Sequence, residues 1–588
     1  MISPEEHTSP TLLQVFAANV ARHPDAPAVG DAGTLATYGE LDAYADHLAR
    51  ELAACGVQRG DRVGLRLERG VNAVIGMLGV LKTGAAYVPV DPRYPDSQRD
   101  VILTAARVKV LVKQIKGRAP PSSMAPFDIV EWGSGSVFRT PPETREETPA
   151  SEACVLYTSR SHASDEPVVF EHHQMVLLAT SDGPCALTGD DRVAQLASIS
   201  SGTGNFEIWR SLAAGAEIVV LPDIVELMAS DVQRMLRRRR VTVMIAPAVA
   251  IAHVLHEDRD AFSVLRILCS TGDVLRPTTC RSLLTSGFSG RLINLYGSTG
   301  TTAACAAHTV LEVPPDQAVI PIGKALEGCY LQVLAPDFGQ IARGDAGELY
   351  VGGHAVVRGR HPVELPLRGN PSDPVPGRCL YATGDLVREN ENGDIELLGR
   401  IEDQVELRGH RIHPGDVERI LCQYPEVNDA AVIIGGAAHG GHMVAFLIPT
   451  GESISLRGLC DFLQRVAPSH MIPEDFIVLP ALPIDLHGKR DCGTLARLLE
   501  EKTRQRAEHV APRNDVERYL VDSWEELLAT RHVSVLDDFF LLGGHSLIAY
   551  KMYVDVMRDL GVDLPFQRVL ENTMLQDLAS VIEEARCT

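Results

Sequence analysis

Residues 81–92 read LKTGAAYVPVDP, a stretch that combines the end of a helix, a short strand and a proline turn. Before it, apolar periodicity predicts a strand over Arg62–Leu67 and a helix over Val71–Lys82 that ends at Gly84. Earlier still, TYGE at residues 37–40 is a capping box, which predicts a helix that continues to Gly56. Because helix and strand patterns alternate in this way, the sequence predicts an α/β fold built in layers.

Length and composition indicate an ordinary globular protein. The chain has 588 residues, 45% hydrophobic and 22% charged, and this length predicts roughly three to four structural units. The formal net charge of −22 argues against nucleic acid and anionic membranes as partners. No apolar run reaches the length of a membrane span and the N-terminus lacks a signal-peptide pattern, so we expect a cytoplasmic protein.

Neither the cysteines nor the one basic cluster indicates a metal or nucleic-acid site. The 12 cysteines include no CxxC pair and no metal-ligand spacing, so we interpret them as reduced thiols and assign no metal site. The basic cluster, Arg237–Arg240, lies between a helical pattern over Val232–Leu236 and a strand pattern over Val241–Ile245. We predict that it ends that helix in solvent.

Near the C-terminus, residues 537–547 read DDFFLLGGHSL. The two glycines allow backbone conformations that other residues rarely adopt. A helical pattern then runs from Ser546 to Gly561, with a predicted apolar face of Leu547, Tyr550, Val554 and Met557. Asp515 opens an earlier helix whose apolar face is predicted to hold Val516, Leu520, Val521, Trp524, Leu527 and Leu528. A serine at a helix start usually acts only as an N-cap.

A serine presented by a small helical bundle in a Gly-Gly-His-Ser-Leu motif resembles the peptidyl or acyl carrier (thiolation) domain. In that family the serine carries a phosphopantetheine arm. The resemblance implies 4'-phosphopantetheine on Ser546 and a phosphopantetheinyl transferase as a partner.

The rest of the chain resembles the adenylation domain of nonribosomal peptide synthetases. Residues 81–92 match one core motif of that family. Further motifs follow in order: NFEIW (205–209), LYG (295–297), GELYV (347–351), YATGDL (381–386), GRIEDQVELRG (399–409), HMIP (470–473) and LPIDLHGK (482–489). The whole is therefore similar to an adenylation–thiolation didomain.

This resemblance implies an architecture of three folded parts. A large N-terminal part of the adenylate-forming (acyl-CoA synthetase/luciferase-like) α/β fold covers residues 1–400, and a small α+β part covers 401–497. Residues 498–514, charged and poor in large apolar side chains, are interpreted as a linker. A four-helix-bundle carrier covers 515–588. Glu402 is the expected hinge, where the family usually has aspartate, and it keeps the charge.

The resemblance also implies roles for single residues in ATP-dependent activation of a carboxylate. Catalysis of this reaction is mostly electrostatic and uses Mg²⁺. Lys489 is the implied catalytic residue, bridging the carboxylate and the nucleotide. The implied nucleotide-binding residues are Asp385 and Arg400 at the ribose, Tyr296 on adenine, and Thr299, Thr158 and Ser159 near the phosphates. ATP and Mg²⁺ are the implied cofactors if the reaction takes place.

Five residues in three motifs depart from the family pattern of the reaction centre. The family's phosphate loop reads YTSGSTGxPKG, whereas residues 157–167 read YTSRSHASDEP, with Arg160 and Ala163 in place of the turn glycines and Glu166 in place of the lysine. Glycine reaches the required backbone conformations cheaply, and a carboxylate repels a polyphosphate. Gly300 replaces a glutamate that helps to hold Mg²⁺. Gly202 replaces the aspartate that binds the α-ammonium of an amino-acid substrate.

The other implied pocket positions are apolar or weakly polar: Thr203, Phe206, Ile245, Cys269, Thr271, Leu295, Ala303 and Ala304. Such a pocket suits an uncharged acyl group, for example that of a keto, hydroxy, aryl or aliphatic acid, unless an unused pocket has drifted. Two functions stay open. In one, the adenylation half has impaired or lost activity and another enzyme loads the carrier in trans. In the other, the chain is an active ligase that forms acyl-AMP and loads Ser546 in cis.

Other partners follow from the same resemblance. A condensation, tailoring or transferase enzyme is expected to take the acyl group in trans. A trans-loading adenylation enzyme and an MbtH-like protein are further candidate partners. A free acyl-CoA synthetase or luciferase-like enzyme is the alternative of a different class, against which the fused carrier argues, because a tethered arm makes loading intramolecular.

Overall fold

The computed structural model describes residues 10–31, 33–114, 127–131, 148, 150–157, 167–181, 183–228, 231–297, 301, 304–315, 317–336, 338–353, 356, 363–364, 379–403, 405–407, 410–435, 442–451, 453–485, 490–507, 510–527, 533–537, 539, 546–562 and 564–586. The chain divides into two compact units, residues 1–402 with 484–490, and residues 403–483 with 491–588. Glu402, the predicted hinge, lies in a 3-10 turn over Ile401–Asp403.

The first unit consists of helices and strands that alternate along most of its length. Its described helices are α1 (Leu12–Arg22), α2 (Tyr38–Ala54), α3 (Val71–Leu81), α4 (Asp96–Ala105), α5 (His172–Thr180), α6 (Gly202–Ala214), α7 (Ile224–Met228), α8 (Val232–Arg239), α9 (Ala248–Glu257) and α10 (Pro277–Leu284). Its described strands are β1 (Pro27–Gly30), β2 (Leu35–Thr37), β3 (Arg62–Arg66), β4 (Ala86–Pro89), β5 (Val110–Gln114), β6 (Phe127–Glu131), β7 (Glu152–Leu156), β8 (Val168–Glu171), β9 (Arg192–Gln195), β10 (Glu217–Val220), β11 (Val243–Pro247), β12 (Ile267–Thr271), β13 (Arg291–Tyr296), β14 (Ala306–Val310), β15 (Lys324–Ala325), β16 (Cys329–Leu334), β17 (Ala346–Gly353), β18 (Val363–Glu364), β19 (Cys379–Glu389) and β20 (Ile395–Arg400).

Three sheets organise these strands within the described residues. A nine-stranded sheet has the order β15-β14-β13-β12-β11-β9-β10-β1-β2, in which β13 through β1 run parallel. A six-stranded sheet has the order β6-β5-β3-β4-β7-β8. A five-stranded antiparallel sheet has the order β16-β17-β19-β18, with β20 paired to β19. The predicted α/β layering is confirmed.

In the main core, the segment of residues 81–92 packs against helix α6. Tyr87 in β4 and Trp209 in α6 are both buried. The indole N–H of Trp209 donates to the Tyr87 hydroxyl at 2.9 Å, and that hydroxyl donates to Asn205 Oδ1 at 2.5 Å. Because a buried hydroxyl needs partners, these bonds fix α6 against the strand of residues 81–92.

Local predictions in the first unit are confirmed. The capping box at Thr37 and Glu40 opens α2, and Gly56 follows its end with a φ of 81°. Helix α3 ends at Leu81, and Gly84 has a φ of 76°. The arginine run forms the last turn of α8, and Arg240 is its left-handed C-cap, with φ at 51°.

The second unit contains a small α+β part. Its described strands are β21 (Val405–Leu407), β22 (His410–Ile412), β23 (Val427–Gly435), β24 (His442–Pro449) and β25 (Asp475–Val478). Its helices are α11 (Pro414–Leu421) and α12 (Leu456–Val466), followed by α13 (Cys492–Ala507). Most of the segment predicted as a linker is therefore helical, and the predicted boundary at residues 497 and 498 lies inside α13.

The C-terminal part of this unit is a bundle of four described helices. They are α14 (Asp515–Leu527), α15 (Ser546–Leu560), α16 (Phe566–Glu571) and α17 (Leu575–Arg586). Trp524 of α14 is fully buried, and its indole stacks edge-on against Phe539 at 5.0 Å between ring centroids. The predicted four-helix bundle is confirmed, and α15 begins at Ser546 as predicted.

The predicted apolar face of α15 is wrong for two of its residues. Tyr550 and Val554 are 53% and 41% exposed, whereas Ala549 and Met552 are buried. The indole N–H of Trp524 donates to Met552 Sδ at 2.9 Å. Because α15 carries apolar side chains on more than one side, contact with α14 selects the buried side and periodicity alone does not.

Candidate functional site

Asp385 lies at the centre of a polar cluster in the first unit. It is 5% exposed, and its backbone pairs with Arg400 across β19 and β20. Arg400 Nη1 lies 3.1 Å from Asp385 Oδ1. Gly384 precedes the aspartate with a φ of 71°, and a Cβ at that position would lie 3.2 Å from Arg400 Nη2. Glycine at position 384 therefore allows the left-handed backbone conformation and leaves room for the Arg400 guanidinium.

Tyr296, the last residue of β13, completes this cluster. Its hydroxyl donates to Asp385 Oδ2, and its side chain is buried. Burial, followed by the charge of Asp385, raises the pKa of the Tyr296 hydroxyl well above its usual value. The hydroxyl therefore stays protonated at neutral pH and acts as a donor. The structure thus brings together Asp385, Arg400 and Tyr296, three residues predicted to bind the nucleotide.

The two oxygens of the Asp385 carboxylate have different partners in this cluster. An ionised carboxylate offers about four lone-pair sites on its two oxygens. Tyr296 and Arg400 each engage a different oxygen of Asp385. Tyr296 and Arg400 thereby hold the carboxylate in one orientation at the end of β13 and across β19 and β20.

Most of the described residues of the predicted acyl pocket lie on parallel strands of the nine-stranded sheet and on α6. Ile245 on β11 pairs with Cys269 on β12, and Leu295 lies on the next strand, β13. Gly202 and Thr203 form the start of α6, which has no acidic residue in its first turn. The carboxyl ends of parallel strands are the usual ligand-binding edge of such a sheet.

Three of the predicted pocket residues share one small cavity. Phe206, Ile245 and Cys269 line a cavity of about 10 Å³, together with residues that include Glu207 and Arg210. The other described pocket residues, Gly202, Thr203, Thr271, Leu295 and Ala304, are not among the residues that line it. A cavity of this size holds about one water molecule.

Several predicted site residues lie outside the described residues. They are Lys489, Thr158, Ser159, Arg160, Ala163, Glu166, Thr299, Gly300 and Ala303. For Glu402 and Ser546 the structure describes the backbone and not the side chain. No group of histidine, cysteine, aspartate and glutamate side chains suited to a metal ion occurs among the described residues. None of the described helices is long and apolar enough to cross a membrane.

The family model described as AMP-binding enzyme matches residues 16–360. This chain belongs to that family. A second model, for the phosphopantetheine attachment site, matches residues 518–582, which include Ser546. An AMP-binding enzyme domain followed by a carrier is the predicted adenylation–thiolation didomain, and that prediction is confirmed.

Relatives of this chain include large nonribosomal peptide synthetases. Gramicidin S synthase 2 of Aneurinibacillus migulanus is 30% identical over 584 residues, which is 98% of this chain and 13% of that protein. Surfactin synthase subunit 1 of Bacillus subtilis (strain 168) is 32% identical over 588 residues, covering 98% of this chain and 16% of that protein. The chain thus spans a small fraction of the length of these relatives.

Solved structures of similar proteins support the same fold. A four-domain nonribosomal peptide synthetase bound to AMP and glycine aligns with a TM-score of 0.67 and 25% identity, over 98% of this chain and 43% of that one. NpsA of Klebsiella oxytoca, in complex with 3-hydroxyanthranilyl-AMSN, aligns with a TM-score of 0.71 and 22% identity, over 84% of this chain and 100% of that one. The second likeness shows the fold alone.

Two residues beside the pocket were missed by the sequence analysis. Glu207 and Arg210 belong to the α6 pattern, where a charged residue is ordinarily assigned to the solvent side. Both are buried, at 1% and 6% exposure. The sequence signals were the place of Glu207 inside the NFEIW motif and the position of both residues within four of Phe206, which the resemblance implicated in the pocket.

Glu207 predicts a pH dependence of stability. Burial raises its pKa from 4.5 to about 8, although the backbone N–H groups of Leu196 and Ala197 and the charge of Arg69 act in the opposite direction. Between these two pKa values the unfolded chain loses the proton while the folded chain keeps it. The free energy of unfolding therefore falls as pH rises through this window, by up to ~1.4 kcal/mol per pH unit. Glu207→Gln should remove this loss.

The measurement is the thermal denaturation midpoint from pH 5 to pH 8.5. The wild-type midpoint should fall relative to that of Glu207→Gln as pH rises, because only the wild type has this titrating carboxyl. Glu68→Gln, a matched substitution of an exposed carboxyl, should run parallel to the wild type. Parallel curves for wild type and Glu207→Gln would show that Glu207 is ionised in the fold at neutral pH.

Proposed function

We propose that this adenylation–carrier protein holds an acyl group as a phosphopantetheine thioester on Ser546, and that its own ATP-dependent activation of carboxylates is impaired or lost. Another adenylating enzyme then loads the carrier in trans. A phosphopantetheinyl transferase installs the arm, and a condensation, tailoring or transferase enzyme removes the acyl group. An MbtH-like protein is a further candidate partner.

The observation that carries this proposal is Glu166 at the position of the family's loop lysine. A lysine attracts the polyphosphate of ATP, whereas a glutamate repels it. Replacing one by the other weakens the interaction with the phosphates by on the order of several kcal/mol, and by less where water screens the charges. Gly300 supplies no ligand for Mg²⁺. Gly202 supplies no carboxylate for an α-ammonium group, and the cavity that Phe206, Ile245 and Cys269 share is only about 10 Å³. Each loss acts on a different part of the reaction.

An active ligase is the second candidate, and the cluster of Asp385, Tyr296 and Arg400 favours it. In this function the chain forms acyl-AMP from a keto, hydroxy, aryl or aliphatic acid and loads Ser546 in cis. ATP with Mg²⁺ would supply the leaving pyrophosphate. The chain's own contribution would be Asp385 and Arg400 at the ribose, Tyr296 on the adenine and Lys489 at the carboxylate.

Carboxylate-dependent exchange of labelled pyrophosphate into ATP separates the two candidates. The full chain is assayed with a broad panel of acids that includes amino, keto, hydroxy, aryl and aliphatic members. We expect little or no exchange above the acid-free background. Robust exchange with any acid would overturn the proposed loss of activation and establish the active ligase.

A separate prediction tests the nucleotide site. Asp385→Asn should weaken binding of AMP to the full chain about 10-fold or more, because a hydrogen bond to a charged group contributes about 1.5–3 kcal/mol. Titration calorimetry with AMP measures the Kd. Glu389→Gln is the matched control, a carboxylate on the same strand that pairs with Arg343. If AMP binds Asp385→Asn and the wild type with equal affinity, Asp385 does not contribute to the nucleotide site.

A further inference from the structure

Arg210 is a buried cation with a fixed position on α6. Its Nε donates to the carbonyl of Cys185 at 3.2 Å, and Nη1 donates to the carbonyl of Leu178 at 3.1 Å. Nη2 donates to the carbonyl of Ser181 at 2.9 Å. Its guanidinium carbon lies 5.4 Å from the centroid of the Phe206 ring. Main-chain acceptors and an aromatic face together hold the guanidinium in one orientation.

This guanidinium lies beside three residues of the predicted acyl pocket. Arg210 lines the same cavity as Phe206, Ile245 and Cys269, and the cavity that remains is about 10 Å³. Ligand sites for drug-sized molecules are usually about 300–1,000 Å³. The space left beside Arg210 admits a group the size of about one water molecule or methyl group.

The charge in this region also disfavours an amino group on the substrate. Arg210 contributes a permanent positive charge. Gly202 has no side chain, and the first turn of α6 has no acidic residue. Glu207 lines the cavity, but burial raises its pKa to about 8, so at neutral pH most of its carboxyl is protonated and offers an ammonium group no charge. An ammonium group placed here lacks the partner that burial requires.

We propose that Arg210 is a specificity-determining residue that closes the base of the acyl pocket and restricts it to small non-amino acids whose side chain has about one heavy atom, in addition to the α-oxygen. This class includes small α-hydroxy and α-keto acids. The inference rests on the proposed assignment of Phe206, Ile245 and Cys269 to the acyl pocket. It concerns acyl binding and holds whether or not the chain completes the ATP-dependent step.

Binding of non-hydrolysable acyl-adenylate mimics to the full chain tests this inference without any turnover. The probes are acyl sulfamoyl adenosines that carry lactyl, alanyl, hexanoyl and benzoyl groups, and titration calorimetry gives each Kd. In the wild type the lactyl probe should bind at least 10-fold more tightly than the other three. In Arg210→Ala the benzoyl and hexanoyl probes should gain at least 10-fold, because truncation opens an apolar cavity beside Phe206.

Arg210→Met separates size from charge, because methionine keeps much of the length and none of the charge. It should still exclude the benzoyl probe while it loses discrimination against the alanyl probe. Phe206→Ala opens the same cavity from another wall and should admit the benzoyl probe if Arg210→Ala fails to fold. A benzoyl probe that binds the wild type within threefold of the lactyl probe, or an unchanged ranking in both cavity-opening variants, would overturn the inference.

Alkylation of Cys269 tests whether Arg210 closes the cavity, and it does so even if no nucleotide binds to the chain. Cys269 is 1% exposed and lines the cavity, so N-ethylmaleimide should label it slowly in the wild type and in Arg210→Met, and at least 10-fold faster in Arg210→Ala. Peptide mass spectrometry locates the label. If no probe binds any variant, the labelling rates decide, and equal rates would overturn the inference. Pyrophosphate exchange by the wild type would overturn only the proposed loss of activation.

Discussion

Replacement of Ser546 by alanine is expected to abolish attachment of the phosphopantetheine arm completely. The arm is joined through the serine hydroxyl, and alanine has no atom that can take its place. The match of the phosphopantetheine attachment site model to residues 518–582 and the start of α15 at Ser546 support this assignment. Intact-mass spectrometry after incubation with a phosphopantetheinyl transferase and coenzyme A measures the result. The wild type should gain the mass of one arm and Ser546→Ala should gain none.

Ser580→Ala is the matched control, because Ser580 is an exposed serine of α17 in the same bundle. It should be modified like the wild type. A gain in mass by Ser546→Ala would show that the arm is attached to another residue. The same variant also tests the acyl-CoA synthetase alternative, since formation of a thioester on free coenzyme A that persists in Ser546→Ala would indicate a synthetase rather than a carrier-dependent enzyme.

The sequence predicted those parts of the fold that depend on local rules. The capping box at Thr37 depends on side chains three residues apart, and Gly56 and Gly84 adopt left-handed backbone conformations that favour glycine. The ordered motifs also placed Tyr296, Asp385 and Arg400 in one functional group. The structure brings these three distant residues together, which no periodicity argument predicts.

Predictions that depend on contacts between elements were less successful. The buried side of α15 is selected by Trp524 of α14, so Tyr550 is exposed despite its place in the helical pattern. Arg210 illustrates the same limit in the pocket. Its burial depends on the carbonyls of Leu178, Ser181 and Cys185, and a single sequence does not tell that these residues surround α6.

A double substitution in the adenylation domain is expected to produce the largest gain of activity. Glu166→Lys restores a positive charge at the family's phosphate loop, and Gly300→Glu restores a carboxylate ligand for Mg²⁺. Reversing a charge near a polyphosphate changes the interaction by several kcal/mol, and about 1.4 kcal/mol corresponds to a tenfold change in rate. Exchange of labelled pyrophosphate, with lactate as the acid, should therefore rise at least ~100-fold over the wild type.

The two single variants and the double variant form a cycle that shows whether the two positions act together. A lysine and a metal ligand that stabilise the same phosphates should be non-additive, so the double variant should exceed the product of the single effects. Glu312→Lys changes the net charge equally at an exposed position and should leave exchange at the wild-type level. No gain in the double variant, together with tight AMP binding, would place the remaining defect in the acyl pocket or at Arg160 and Ala163, because the ribose cluster would then be intact and the double variant leaves these two loop residues unchanged. Combining the double variant with Arg210→Ala and a panel of larger acids would test that placement directly.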